Sequence, residues 1–245
     1  MNEKPEYLIK NGKRLDGRKP EELREIKMRT GVVSNADGSA MVSFGKTKVI
    51  AAVYGPREVH PRHLLLPDRA LLRAWYDMFS FSVEDRKRPG PGRREIEISK
   101  VLTEALRSVV FLEKFPRTAI DIFIAVVQAD ASTRVTGLNA AALALADAGI
   151  PMKDLVTAVS FGKVYDEKGK EHMVVDVFKP EDNWGLADVA YAVTPNFGEI
   201  LLLQMDGNLT REELFTGKRM ADEAVRKIYR QQVKALKDKY LEGLE

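Results

Sequence analysis

An alanine-rich segment, Val135 to Ala148, constrains the fold of this chain more than any other feature. Its side chains are small on every face of a helix, which is typical of a helix that is buried all round and lies close to a sheet. An apolar run with strand character, Ile120 to Val127, precedes it, and Gly149-Ile150-Pro151 ends it. We therefore predict a strand, a short loop and a buried helix at the centre of a layered fold.

The loop between that strand and that helix, Ala129 to Arg134 (ADASTR), places small polar residues and one arginine at the helix N-terminus. Free backbone N–H groups there bind anions, and an arginine can hold a phosphate through two parallel hydrogen bonds. Ser132, Thr133 and Arg134 are therefore candidate phosphate-binding residues. An ordinary Ser/Thr helix cap beside an arginine–carboxylate pair explains the same residues, so the local sequence leaves both interpretations open.

The remaining pattern predicts groups of strands separated by helices. Helices are predicted from Arg93 to Leu112 and from a Thr210/Glu213 capping box to about Tyr240. The predicted strands, in chain order, are Leu23 to Val33, Ser39 to Phe44, Thr47 to Tyr54, Leu71 to Val83, Ala158 to Tyr165, His172 to Phe178, Ala187 to Val193 and Glu199 to Gln204. The predicted loops are Arg57 to Asp68 and Arg86 to Gly92. This order predicts an α+β (α/β layered) fold with mixed sheets flanked by helices and a long C-terminal helix. No linker divides residues 1–245, so we expect a single domain.

Composition excludes several classes of protein. The 245 residues include no cysteine and only three histidines, which rules out disulfides and thiolate metal sites and disfavours a histidine-rich zinc site. The net charge of +3 is not by itself typical of a nucleic-acid-binding protein. No run approaches the roughly 18 apolar residues of a membrane span, and the polar N-terminus does not resemble a signal peptide. We therefore expect a cytoplasmic protein.

Two pairs of like charges are further candidates. Arg93 and Arg94 are adjacent at a predicted helix N-terminus, where the helix dipole favours anions, so they either join a solvated ion-pair network or bind a polyanion such as RNA. Asp182 lies in a predicted loop and Asp188 starts the next strand, and the two converge if the flanking strands form a hairpin. Two carboxylates beside a phosphate site suit proton transfer or metal binding, although aspartates are also common in loops.

Aromatic residues follow a basic loop early in the chain. The loop Gly55 to His63 carries basic and imidazole groups among prolines, and suits either nucleic-acid contact or a solvated surface. Trp75, Tyr76, Phe79 and Phe81 could stack on bases. Their position in an apolar run favours packing in a core or an interface instead.

Five segments together resemble the RNase PH family, and they occur in the family's order over nearly the whole chain. They are LDGRKPEELR (Leu15 to Arg24), GSAMVSFGKTKVIAAVYGP (Gly38 to Pro56), PGRREIEISKVLTEALRSVV (Pro91 to Val110), QADASTR (Gln128 to Arg134) and EDNWGLAD (Glu181 to Asp188). With FPRTAIDIFI and ALADAGIPMKDL, the chain is most similar to the catalytic RNase PH-like subunits of archaeal exosomes. The resemblance implies the RNase PH-like fold, which is ribosomal protein S5 domain 2-like.

The resemblance also implies an activity: phosphate-dependent 3′→5′ degradation of single-stranded RNA to nucleoside diphosphates, with the reverse reaction extending RNA tails. Ser132, Thr133 and Arg134 would bind the attacking inorganic phosphate, which is a co-substrate. Because phosphate attacks a phosphodiester, anions are brought together, and arginines must offset their repulsion. The family usually has glycine where Ser132 stands, and serine keeps the N–H group and adds a hydroxyl.

The same resemblance implies roles for the charged pairs. Arg93 and Arg94 would hold the RNA 3′ end. Asp182 and Asp188 would be the catalytic residues, dividing between them the roles of general acid and of a carboxylate that binds Mg²⁺ or positions the reacting groups. Arg62 falls in the loop that lines the pore entrance in rings of this family.

Those rings contain six subunits, in which a chain of this kind would alternate with a related non-catalytic RNase PH-like subunit and meet RNA-binding cap proteins, with no membrane involved. Two alternatives differ in class. One is a homohexameric RNase PH that trims tRNA 3′ ends. The other is a non-catalytic RNA-binding ring subunit, which would lack one or more catalytic positions, whereas all the arginines and aspartates named above are present.

Overall fold

The computed structural model describes residues 4–85 and 87–241. The strands are β1 (Ile9–Lys10), β2 (Lys13–Arg14), β3 (Ile26–Thr30), β4 (Gly38–Phe44), β5 (Thr47–Glu58), β6 (Leu71–Met78), β7 (Thr118–Gln128), β8 (Thr157–Tyr165), β9 (Glu171–Val175), β10 (Ala187–Val193) and β11 (Ile200–Gly207). The α-helices are α1 (Arg93–Arg107), α2 (Thr133–Asp147), α3 (Lys179–Trp184) and α4 (Arg211–Leu241). Two 3₁₀ helices, Arg62–Leu64 and Leu112–Lys114, lie in connections.

The strands form two large sheets and one short hairpin. The five-stranded sheet has the order β3-β4-β5-β7-β6, and it is mixed because β6 and β7 run parallel while its other pairs are antiparallel. The four-stranded sheet has the order β11-β10-β8-β9 and is antiparallel throughout. Helices pack on both sheets, which confirms the predicted α+β layering.

The alanine-rich helix α2 lies between the two sheets, in contact with strands of each. Every residue of α2 except Arg134 and Ala146 is buried, as its small side chains predict. At Gly38 of β4 the sheet approaches so closely that an added Cβ would lie 2.2 Å from the backbone nitrogen of Ala148. On the other side, Asn139 bonds both backbone groups of Ala158 in β8. Both sheets therefore hold the helix that starts at the ADASTR loop.

Several predicted elements have different ends in the structure. Strand β5 continues to Glu58, which pairs with Thr118, so the predicted loop from Arg57 to Asp68 begins as strand. Strand β6 ends at Met78, before the turn in which the N–H of Ser82 donates to the carbonyl of Phe79. Helix α1 ends at Arg107 rather than Leu112.

The sequence prediction includes neither the hairpin β1–β2 nor the short helix α3. The hairpin β1–β2 turns through Asn11-Gly12, both with positive φ, which is the turn that an Asn-Gly pair favours. The prediction of a loop around Asp182 is wrong, because Asp182 lies in α3. A proline in the first turn and a capping box, in which Glu181 accepts from the N–H of Phe178, start this short helix.

Across the described parts of the chain, no helix is both long and apolar enough to cross a membrane.

Candidate active site

A small pocket lies where the N-termini of α1 and α2 meet α3 and the strands β8 and β10. Its volume is about 60 Å³, which leaves room for a few water molecules or one small anion. The pocket brings together six of the residues singled out from the sequence. Its lining residues are Arg94, Ser132, Thr133, Arg134, Val135, Ser160, Val177, Asp182, Asp188 and Ala190.

Two of the predicted site residues lie elsewhere. Arg93 precedes Arg94 in the first turn of α1 and is exposed, but it does not line the pocket. Arg62 lies in a 3₁₀ helix, 81% exposed, where it donates to Glu58 over 2.9 Å. Of the two arginines at the start of α1, only Arg94 therefore lines the pocket. Arg62 belongs to a separate exposed loop.

The ADASTR loop is held by its backbone conformation and by the hydroxyl of Ser132. Ala131 and Ser132 have left-handed φ values of 57° and 56°, a conformation that is unfavourable by roughly 1–2 kcal/mol for residues other than glycine. The Ser132 hydroxyl donates to the carbonyl of Val177 over 2.6 Å and shares a 2.7 Å bond with Ser160. These two bonds offset the strain, so serine reproduces the left-handed conformation that glycine adopts readily.

This geometry decides between the two interpretations of the loop. Ser132 is the N-cap residue of α2, but its side chain makes no capping bond to the helix. Arg134 donates to the amide of Gln204 over 2.6 Å and forms no ion pair with a carboxylate within the part of the chain that the structure describes. The interpretation as an ordinary serine cap beside an arginine–carboxylate pair is therefore wrong.

The Nε of Arg134 is a hydrogen-bond donor that is buried, and among the described residues it has no hydrogen-bond partner. A buried polar group without a partner is unfavourable by about 1–3 kcal/mol, and more when it is charged. Burial, followed by the neighbouring charge of Arg94, lowers the pKa of Arg134 from its usual value. An anion in the pocket would relieve both effects, so Arg134 fits an anionic ligand.

Thr133 is positioned by Tyr76, which sequence analysis did not assign to the site. The Tyr76 hydroxyl donates to Thr133 Oγ1 over 2.8 Å, and both residues are buried. Burial raises the pKa of Tyr76 to about 12, so it stays a donor at any ordinary pH. Because Thr133 Oγ1 accepts this bond, its own hydrogen is available to the pocket. The alternation along β6 could have shown that Tyr76 points inward.

The other aromatic residues of that run are not part of the core. Trp75 is partly exposed and stacks on Phe123 with ring centroids 4.8 Å apart. Phe79 and Phe81 are exposed and contact each other. Of the two expected roles, core packing is therefore confirmed for Tyr76, and for these three residues packing in an interface stays a prediction.

The two aspartates converge by a route other than the predicted hairpin. Strands β9 and β10 do not pair with each other, since each pairs with a different edge of β8. Asp182 reaches the pocket from α3 and Asp188 from β10, where it lies opposite Gly162 and Asp206. The predicted convergence is confirmed, but the hairpin that was invoked for it is wrong.

The environment of the two carboxyls favours retention of a proton. Burial, followed by the negative charges of Asp182 and Asp206, raises the pKa of Asp188 to about 6. Burial also raises the pKa of Asp182, while the charges of Arg94 and Arg134 act against this increase. A carboxyl whose pKa lies near 6 can hold or release a proton close to neutral pH.

The same two carboxylates suit one hard cation. Raised carboxyl pKa values mean that nearby positive charge is favourable, and Mg²⁺ commonly uses one or two carboxylates, with waters and substrate phosphates as its other ligands. The residues described by the structure contain no cluster of three or more histidine, cysteine or acidic side chains that would enclose a metal. The two carboxylates therefore fit a Mg²⁺ ion whose other ligands are waters and the phosphate oxygens of a substrate.

Helix α3 is anchored to the N-terminal hairpin by a buried ion pair. Arg14 of β2 donates from Nε to Glu181 over 2.7 Å and also contacts Glu181 through Nη2, and neither side chain is exposed. Arg14 also donates to the carbonyls of Val175 and Asp176. Glu181 directly precedes Asp182, so this network fixes the helix that carries one of the two site carboxylates. Neither member of the pair was singled out from the sequence.

We expect Tyr76→Phe to raise the phosphate concentration needed for half-maximal ligand-induced stabilisation by roughly 3- to 10-fold. This range corresponds to the loss of one hydrogen bond that orients Thr133. The measurement is the melting temperature of the isolated chain over a phosphate titration. Tyr165→Phe, which removes a hydroxyl bonded to the carbonyl of Pro5, is the matched control and should leave the titration unchanged. Equal titrations for wild type and Tyr76→Phe would contradict the role given to Tyr76.

The raised pKa of Asp188 predicts a pH-dependent contribution to stability. Because the native pKa of about 6 exceeds that of an unfolded aspartate, the native state binds more protons between roughly pH 4 and pH 6. Stability therefore falls as pH rises through this window. We expect the unfolding free energy of wild type, relative to that of Asp188→Asn, to decrease from pH 4 to pH 7. Guanidinium titrations without phosphate or divalent cations measure this difference, and a constant difference would rule out the raised pKa.

Two domains of one protein family match most of this chain. The 3′ exoribonuclease family, domain 1, matches residues 22–151, and domain 2 of the same family matches residues 154–224.

Similar proteins come from several archaea. The chain is 58% identical over 248 residues to the exosome complex component Rrp41 of Thermococcus onnurineus, an alignment that covers 100% of this chain and 98% of the relative. It is 54% identical over 241 residues to the exosome complex component Rrp41 of Methanopyrus kandleri, which covers 98% of this chain and 99% of the relative. A crystal structure of rice Rrp46 superimposes with a TM-score of 0.80 at 26% identity, covering 91% of this chain and 100% of that one.

Proposed function

We propose that this chain, which belongs to the 3′ exoribonuclease (RNase PH) family, is the catalytic subunit of an exosome and degrades single-stranded RNA by phosphorolysis. The family match confirms the predicted resemblance and fold. The observation that carries the phosphorolytic step is the buried, unpartnered Nε of Arg134 beside a pocket of about 60 Å³. A pocket of this size suits inorganic phosphate, and two carboxyls lie next to it.

In this mechanism an oxygen of inorganic phosphate attacks the phosphorus of the terminal phosphodiester. The bond from that phosphorus to the 3′ oxygen of the preceding nucleotide breaks, and a nucleoside diphosphate leaves. Arg134, the hydroxyl of Thr133 and the N–H groups at the start of α2, including that of Ser132, bind the phosphate. Arg94 faces the same pocket, where its charge offsets the repulsion between the two anions. Because the attacking group is phosphate rather than water, the reaction is not a hydrolysis, and it runs in reverse when nucleoside diphosphates are abundant.

The carboxyl pair supplies the proton that the departing 3′ oxygen needs. Burial and mutual repulsion favour a state in which one of Asp182 and Asp188 is protonated and the other is ionised. The protonated member donates to the leaving oxygen, and the ionised member would hold Mg²⁺ or position the reacting groups. When bound, Mg²⁺ would stabilise the negative charge that develops on the phosphate oxygens.

The RNA approaches this site from the exposed start of α1. Arg93 and Arg94 hold the 3′-terminal phosphates of the RNA. Arg62 contacts the RNA farther from its 3′ end, at the entrance of a ring pore. The exposed position of Arg62 and Arg93 supports contact with a flexible polyanion. A narrow basic entrance selects single-stranded RNA.

We propose that the chain works within an alternating hexameric ring in the cytoplasm, together with a related non-catalytic subunit and RNA-binding cap proteins. The relatives named as exosome complex components support assembly with other subunits. The stacked, partly exposed Trp75 and Phe123 are of the kind that subunit interfaces cover. Within the ring the chain acts as one domain, because α2 packs against strands of both sheets.

The test combines the chain, the related ring subunit and a 5′-labelled single-stranded RNA, with and without inorganic phosphate. Phosphorolysis requires phosphate and releases nucleoside diphosphates, which chromatography separates from monophosphates. Release of monophosphates without phosphate would overturn the proposal in favour of hydrolysis. Strong activity of the chain alone would favour the homohexameric alternative, and no activity with any partner would favour the non-catalytic one.

A further inference from the structure

We infer that Gln204 is a positioning residue, which orients the guanidinium of Arg134 toward inorganic phosphate without neutralising its charge. The inference rests on the proposed phosphate site. Gln204 lies in β11 opposite Ala190, a residue that lines the pocket. Its Oε1 accepts from Arg134 Nη1 over 2.6 Å, the one side-chain bond that Arg134 makes among the described residues.

The orientation of the Gln204 amide is itself determined. Its Nε2 donates to Glu97 Oε1 over 2.7 Å. An ionised carboxylate only accepts, so the NH₂ end of the amide must face Glu97 and the oxygen must face Arg134. The relay Glu97–Gln204–Arg134 thus joins α1, β11 and α2. Glu97 lies on the helix whose first turn carries Arg94, so these hydrogen bonds connect Arg134 to the helix that bears the other arginine of the pocket.

A neutral amide is chemically suited to this position. Two carboxylates, Asp182 and Asp188, already line the pocket beside two arginines, and Asp206 lies close to both aspartates. A carboxylate at position 204 would hold Arg134 equally well but would cancel its charge and repel an incoming phosphate. The amide keeps one edge of the guanidinium fixed, while the guanidinium retains its full charge and an Nε that has no hydrogen-bond partner among the described residues.

The test measures steady-state phosphorolysis by the assembled ring, with phosphate and RNA varied separately. We expect Gln204→Ala to raise the KM for phosphate about tenfold, with kcat and the KM for RNA within twofold of wild type. Gln204→Glu, which retains an acceptor for Arg134, should raise the KM for phosphate at least as much. Gln231→Ala, on an exposed face of α4, is the matched control and should change nothing.

A second measurement separates this inference from the proposed function. The melting temperature of each variant is followed over a titration with inorganic phosphate, which reports binding without turnover. We expect the phosphate midpoint to shift for both Gln204 variants and not for the control. A phosphate KM and midpoint unchanged in Gln204→Ala, or tightened in Gln204→Glu, would overturn the inference. If wild type binds phosphate but releases no nucleoside diphosphate, the proposed function fails while the role of Gln204 in binding stands.

Discussion

Asp182→Asn is expected to slow phosphate-dependent release of nucleoside diphosphates by the assembled ring by about 10²–10⁴-fold, the usual contribution of a general acid or base. Asparagine has nearly the same shape but neither releases a proton nor attracts Mg²⁺ as a carboxylate does. Binding of RNA should stay within about twofold of wild type, because Asp182 repels rather than attracts the RNA backbone. Product release is followed by chromatography and RNA binding by fluorescence anisotropy.

The matched control for this variant is Asp206→Asn. Asp206 lies opposite Asp188 in the sheet but does not line the pocket. Its removal takes away a negative charge that raises the pKa of both site aspartates, so activity should persist with its pH dependence moved to lower pH. Near-normal turnover by Asp182→Asn would exclude Asp182 from proton transfer and from metal binding together.

The second large effect is expected at Arg134. Arg134→Lys should lower kcat/KM for phosphate by about 10²–10³-fold, the scale seen when one preorganised donor to a developing charge is lost. Lysine keeps the charge but lacks the planar fork, which binds Gln204 and has donors left for a phosphate. The measurement is initial rate against phosphate concentration at saturating RNA, and phosphate-induced stabilisation should weaken in parallel.

The control for that exchange is Arg226→Lys, which replaces an exposed arginine on α4. It should be indistinguishable from wild type in both assays. If the Arg134→Lys enzyme saturates at the same phosphate concentration as wild type, a positive charge at position 134 is enough for phosphate binding. The fork geometry, and with it the role of Gln204, would then be excluded.

The strand–loop–helix centre of the fold could be predicted from sequence because its signals are local. The small side chains from Val135 to Ala148 predict complete burial, and α2 is buried at all but two positions. The close approach at Gly38 has the same origin, since only a residue without a side chain fits against Ala148. Pocket residues next to such elements, including Thr133 and Arg134, were identifiable for the same reason.

The contacts that orient those residues could not be predicted, because they join positions far apart in sequence. Tyr76 and Thr133 are 57 positions apart, and Arg134 and Gln204 are 70. Each partner sits in a strand whose local pattern reports only which face it occupies. The pairing of β8 with both β9 and β10, which excludes the predicted hairpin, is likewise a property of the sheet order and leaves no local signature.

The buried pair between Arg14 and Glu181 has a consequence for where the functional unit begins. The family match starts at residue 22 and leaves Arg14 outside. Loss of Arg14 removes the cation that compensates the buried carboxylate of Glu181, and breaking a buried pair in this way is destabilising by about 3–5 kcal/mol. The destabilisation would fall on α3, in which Glu181 directly precedes Asp182. The first two short strands, which none of the quoted motifs includes, are therefore needed to hold α3 and Asp182 in place at the candidate site.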